Sequence, residues 1–113
     1  MGIQNWSDEI TVVELMEDPQ FSEDLEALAS ALEAKTTDVV LNFSTVGFIN
    51  SSNIAALLRV RKLLHAGRRR MVLCGISPHA WGLFQVTGLD KTFEFTQDVS
   101  TALATIQLSP RPE

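Results

Sequence analysis

Two short apolar runs, Val39-Val40-Leu41-Asn42-Phe43 and Met71-Val72-Leu73-Cys74, lie on either side of one helix-length segment, and this arrangement constrains the chain most. Near-continuous apolar runs of four or five residues suit strands covered on both faces. Residues 51–65 between them carry helical spacing, and Gly67 is placed to close the helix. A crossover of that length pairs the flanking strands in parallel, because an antiparallel pair needs only a tight turn. The chain is therefore predicted to be α/β.

The flanks extend this unit. Ile10-Thr-Val-Val-Glu-Leu15 is rich in β-branched residues and reads as a strand, with a weaker partner at Ile3–Trp6 and a turn at Ser7-Asp8-Glu9. Phe21, Leu25, Leu28 and Leu32 recur on one helix face, and Glu23, Asp24 and Glu26 gather in its first turns, where the helix dipole favours negative charge. Ser77 and Pro78 open another helix carrying Trp81 and Phe84, and Gly88 ends it. Thr92–Phe95 reads as a last strand, and Asp98 caps a final helix whose Val99, Leu103 and Ile106 face inward. A chain of 113 residues supports one core. The prediction is a single domain over residues 1–108, with a mixed sheet of four to five strands, antiparallel at its N-terminal pair and then parallel, and about four helices. Residues 109–113, Ser-Pro-Arg-Pro-Glu, are too proline-rich to continue the last helix and read as a short flexible tail.

Composition narrows the function. The single cysteine, Cys74, forms no internal disulfide and reads as a buried thiol in a reducing compartment. No apolar stretch approaches the ~18 residues of a membrane span, and Met1–Glu9 lacks the basic start and apolar middle of a signal peptide. The expected location is cytoplasmic, with no membrane partner. The net charge of −5 is unevenly spread: residues 1–38 hold ten acids and one base, and residues 39–89 hold six bases and no acid. Those six are Arg59, Arg61, Lys62, Arg68, Arg69 and Arg70, which fit a solvated face, a docking surface for an acidic protein, or nucleic-acid contact. Overall acidity argues against DNA, so no nucleic-acid partner is expected.

Catalytic chemistry is hard to find. His65, His79 and Cys74 have no zinc-ligand spacing, and Gly47 stands alone rather than in a phosphate-binding loop. Ser51 and His65 would lie roughly 21 Å apart along one helix at 1.5 Å per residue, too far to share a hydrogen bond. No catalytic residue, metal or cofactor is therefore expected. A small-molecule-binding or catalytic α/β domain is the competing class, and it would need an enclosed pocket with converging polar groups.

The informative segment is Gly47-Phe48-Ile49-Asn50-Ser51-Ser52-Asn53, where a strand leads into a helix. Short polar side chains there accept from the free N–H groups of the first turn. Two adjacent serines exceed what capping needs, and a hydroxyl at a helix mouth is an accessible place for a phosphate. On the following helix Ala56, Leu57, Val60, Leu63 and Leu64 share the side expected to face the sheet. Leu58 lies nearly opposite, with Ile54 at the margin and Arg61, Lys62 and His65 around it. An apolar centre with a basic rim predicts a docking face for an acidic partner.

Taken together, Val39–Asn53, Leu73-Cys-Gly-Ile-Ser-Pro-His-Ala-Trp-Gly-Leu-Phe84 and Val86-Thr-Gly-Leu-Asp90 resemble the STAS domain, and within it the bacterial anti-sigma factor antagonists, over about residues 38–107. The resemblance implies a protein that binds an anti-sigma factor with serine kinase activity and so frees a sigma factor, with phosphorylation of a serine in the turn switching binding off. Carried over by position, the acceptor is Ser51 with Ser52 beside it; the helix face supplies Ile54, Leu58, Arg61 and Lys62 as the candidate partner contacts, with Asn50 and Asn53 shaping the rim. The family's usual Asp is here Asn50 and its usual Gly is Asn53, which puts a side chain where the family allows close backbone approach. The family's Gly-Glu-Leu-Asp-like turn is replaced by Met16-Glu-Asp-Pro-Gln-Phe-Ser22. The alternative is an unphosphorylated STAS scaffold or signalling-complex subunit that only docks a partner. Monomer and weak dimer both remain open.

Overall fold

The computed structural model describes residues 2–108, so the tail expected at residues 109–113 lies outside the described residues. Strands β1 (Ile3–Asn5) and β2 (Ile10–Glu14) form an antiparallel hairpin, with Ile3 opposite Val13. Helix α1 (Gln20–Ala34) leads to β3 (Asp38–Asn42), which lies parallel to β2. Helix α2 (Ser51–Ala66) is the predicted crossover to β4 (Met71–Cys74), which is parallel to β3 with Val39 opposite Met71 and Leu41 opposite Leu73. Helix α3 (Pro78–Val86) is followed by a 3-10 turn at Leu89–Lys91, then β5 (Glu94–Thr96) and α4 (Val99–Leu108). The sheet has five strands in the order β1-β2-β3-β4-β5.

Strand alternation divides the core between the two faces of the sheet. Val13, Leu15, Val39, Leu41, Phe43 and Leu73 pack with the buried faces of α1, α2 and α3. Ile10, Val12, Val40, Val72 and Cys74 point the other way and pack with Ala102 and Ile106 of α4. Continuous apolar runs arise because β3 and β4 bury both faces. Edge-to-face aromatic contacts run through the larger core, with Phe43 5.8 Å from Phe21 and 6.4 Å from Phe84, and Phe84 5.2 Å from Phe95.

Several local expectations change. The last strand begins two residues later than predicted, because residues 89–91 form a 3-10 turn and Phe93 is buried ahead of the strand. Gly67 closes α2 as expected, and the positive φ of the turn falls on the next residue, Arg68 (φ 58°). A Cβ at Gly67 would stand 3.0 Å from Thr36 Cγ2, so glycine there serves close packing. Asp24 sits within the buried face of α1, and Gln20 Nε2 donates to its carboxylate at 2.9 Å.

Two of the six basic-island residues brace the sheet. Arg69 pairs with Glu9 at 3.0 Å and approaches Asp38 at 3.9 Å. Arg70 pairs with Glu94 and donates to the Thr105 carbonyl at 3.1 Å, and Glu94 holds its guanidinium above the usual arginine range. Arg59 and Lys62 remain exposed on α2. Because β2, β3 and β4 run parallel, the segments that follow them meet at one end of the sheet, the usual place for recognition in such folds.

Candidate functional site

At that end, α2 begins with a complete capping box. Asn50 Oδ1 accepts from the Asn53 N–H at 2.9 Å, and Asn53 Oδ1 accepts from the Asn50 N–H at 3.0 Å. A capping box normally has Ser or Thr at the cap and Glu or Gln three residues on. Here two asparagines meet the same need. The N–H groups of Ser51 and Ser52 have no partner among the described residues, and both serines are exposed. Two unclaimed donors at the positive end of a 16-residue helix, each beside its own hydroxyl, favour an anion at this point.

The loop after β2 closes over this helix start. Asp18 Oδ2 accepts from Asn53 Nδ2 at 2.9 Å and from Asn50 Nδ2 at 3.4 Å, while its Oδ1 accepts from the Ser22 N–H and hydroxyl at 3.0 and 2.7 Å. These donors, led by the Ser22 hydroxyl and Asn53, hold the Asp18 carboxyl below the usual aspartate value of 3.8. Glu17 accepts from the Gly47 N–H at 2.9 Å, and Thr45 donates to the Leu15 carbonyl at 2.7 Å. From the other side, Ser77 Oγ donates to the Gly47 carbonyl at 3.0 Å. Gly75 lets the chain leave β4 here. Its φ is +68°, and a Cβ would stand 3.0 Å from Asn42 Oδ1.

The predicted residues fall into three groups. Asn50, Ser51, Ser52, Leu58 and Lys62 are exposed, Leu58 at 37%. Ile54 is half-buried against the core, and Arg61 is half-buried with its Nε donating to the Thr92 carbonyl at 3.2 Å. Arg61 therefore leans toward the segment before β5, away from a free rim. Asn53 requires a correction. It was expected to shape the rim, yet it is only 2% exposed, because the polar atoms of its side chain turn inward to Asn50 and Asp18.

Four contributors escaped the sequence reading. Met16 and Phe48 are 54% and 67% exposed, and they flank the Glu17–Gly47 bond. His79 packs edge-on to Phe48 with ring centres 4.6 Å apart. Asp18 is the fourth. Its signal was the Glu-Asp-Pro run that interrupts the family turn, but only the fold shows what it reaches.

A groove of about 640 Å³ between α1 and α2 carries Glu26 and Glu33 across from Arg59 and Lys62, and neither Ser51 nor Ser52 lines it. No group of three or more His, Cys, Asp or Glu side chains among the described residues is arranged to hold a metal. No helix among them is long and apolar enough to cross a membrane.

Comparison with known proteins agrees with this architecture. The profile of the STAS domain matches residues 19–102. A Bordetella bronchiseptica protein named as an anti-sigma factor antagonist, BtrV, is 30% identical over 84 residues, spanning 74% of this chain and 72% of that one. The structure is similar to that of the anti-sigma factor antagonist SpoIIAA in its unphosphorylated form, with TM-score 0.81, 19% identity and 96% of both chains covered. The phosphorylated form of the same Bacillus protein gives TM-score 0.71 and 21% identity over 92% of this chain and 96% of that one.

Proposed function

This chain belongs to the STAS domain family, and on that premise we propose that it is an anti-sigma factor antagonist, switched by phosphorylation of Ser51. Its partner is an anti-sigma factor with serine kinase activity, and binding releases the sigma factor that the partner holds. The chain acts by docking, in the cytoplasm, and catalyses nothing itself. The observation that carries the reading is the start of α2: two exposed serines with unclaimed N–H groups, directly above a helix face presenting Leu58 and Lys62.

The chemistry follows from that placement. A phosphate on Ser51 gains from its own helix terminus and the free N–H groups, so it costs the fold little. It also adds nearly two negative charges at the head of the docking face. A partner that is acidic, as the basic positions of α2 favour, or that packs closely on Phe48 and Leu58, then meets repulsion and an uncompensated desolvated charge.

The test uses purified anti-sigma serine kinases from the same genome. With ATP, one of them should add a single phosphate, read by intact mass, and Ser51→Ala should abolish it. Unmodified protein should bind that kinase in calorimetry, and the phosphorylated form should bind at least tenfold more weakly. Binding without any phosphate transfer would leave the docking scaffold as the correct reading. Absence of binding to every such kinase would end the antagonist reading.

A further inference from the structure

Resting on the Ser51 switch, we propose that Asp18 is a latch that reads the modification: it clamps the loop after β2 onto the head of α2, and a phosphate on Ser51 releases it. Four contacts fasten residues 15–18 to residues 45–53: Thr45 to the Leu15 carbonyl, Gly47 N–H to Glu17, and the Asn50 and Asn53 side-chain amides to Asp18. Asp18 also grips the first turn of α1 through Ser22. One carboxylate therefore joins two helix starts.

Ser51 lies between the two asparagines that Asp18 holds. Adjacent Cα atoms are 3.8 Å apart, so a phosphate on Ser51 falls within about one Debye length of Asp18 at 0.1 M salt. It acts in two ways. It repels Asp18 and Glu17, and it offers strong acceptors that compete for the Asn50 amide, whose bond to Asp18 is already long at 3.4 Å. The Asn53 amide is buried and short-bonded, so it yields second. Release frees the loop carrying Met16, and the apolar pair Met16 and Phe48 loses its shared anchor at the Glu17–Gly47 bond. The switch thus changes the shape of the docking surface as well as its charge. It also gives a role to both departures from the family turn, since Asn50 and Asn53 supply the amides that Asp18 clamps.

The experiment needs neither kinase nor partner. Phosphoserine is incorporated at position 51 during translation, and the free protein is compared with the unmodified protein by nuclear magnetic resonance and amide hydrogen exchange. Exchange at Gly47 should accelerate at least tenfold, and the Asn50 side-chain amide should shift strongly. Asp18→Asn, which replaces one accepting oxygen with a donor, should already show the released Gly47 exchange, and phosphoserine should add less than twofold to it. A merely structural Asp18 would leave the phosphate effect intact in that variant, and that result overturns the proposal. Unchanged Gly47 exchange in phosphorylated protein that is otherwise native overturns it as well. Because partner binding is scored separately, a failed latch leaves the antagonist reading standing, and a released latch without any kinase that binds would fault only the antagonist reading.

Discussion

Replacing Asn53 by alanine should unsettle the head of α2 by a predictable amount. The substitution removes the bond from the Asn50 N–H at 3.0 Å and the bond to Asp18 at 2.9 Å, while the backbone bond from residue 53 to Asn50 Oδ1 survives. Each lost bond is worth about 0.5–1.5 kcal/mol net. Asn50 and Asp18 are exposed, so water satisfies both and the lower half of that range applies. Alanine recovers about 0.5 kcal/mol as the better helix former. The expected net loss is about 1 kcal/mol, or roughly 4 °C in Tm for a domain of this size. Urea unfolding at pH 7 should show a lower midpoint with an unchanged slope. Asn53→Asp sharpens the test, because it keeps an acceptor for Asn50 but sets a second carboxylate against Asp18. It should be less stable than Asn53→Ala at pH 7 and recover toward it in acid. Wild-type stability for Asn53→Ala, or for Asn53→Asp at pH 7, would refute the paired-amide account of this turn.

Leu58→Asp should cost about 1–2 kcal/mol, since Leu58 is only partly buried. Circular dichroism should show it folded, and calorimetry should show at least tenfold weaker partner binding; global unfolding would instead place Leu58 in the core. Asp18 and Asp98 both titrate below the usual 3.8, held by Ser22 and by the Thr101 N–H respectively. Their depressed values stabilise the fold above the unfolded aspartate pKa and lose that effect as pH falls through the folded ones. The urea midpoint should therefore fall below about pH 4, and Asp98→Asn should flatten part of that fall. Cys74 is buried and its thiol is pushed up to about 11 by burial, then by Glu14 and Asp98. It should resist iodoacetamide at pH 7.5 and react fully in urea; rapid labelling of native protein would contradict the packing around β4.

The order of elements, the parallel crossover and the buried faces of α1 and α2 were legible because periodicity and burial are local, repeated signals. Val39–Leu41, Met71–Leu73, Phe21, Leu25, Leu57 and Leu64 all occupy the core the pattern assigned them. The start of α2 was equally readable, since capping depends on residues four apart or fewer. Tertiary structure alone decided what stands over it. Asp18 lies 35 residues from Asn53 in the chain, and no periodicity links a loop carboxylate to a distant amide. The same holds for Arg61, which the helix wheel set on the outer face and the Thr92 carbonyl draws aside. Hydrophobic pattern selects the fold because burial is non-directional and sums over many residues. Hydrogen bonds between loops are directional and few, so they exist only once the sheet has brought its strand ends together.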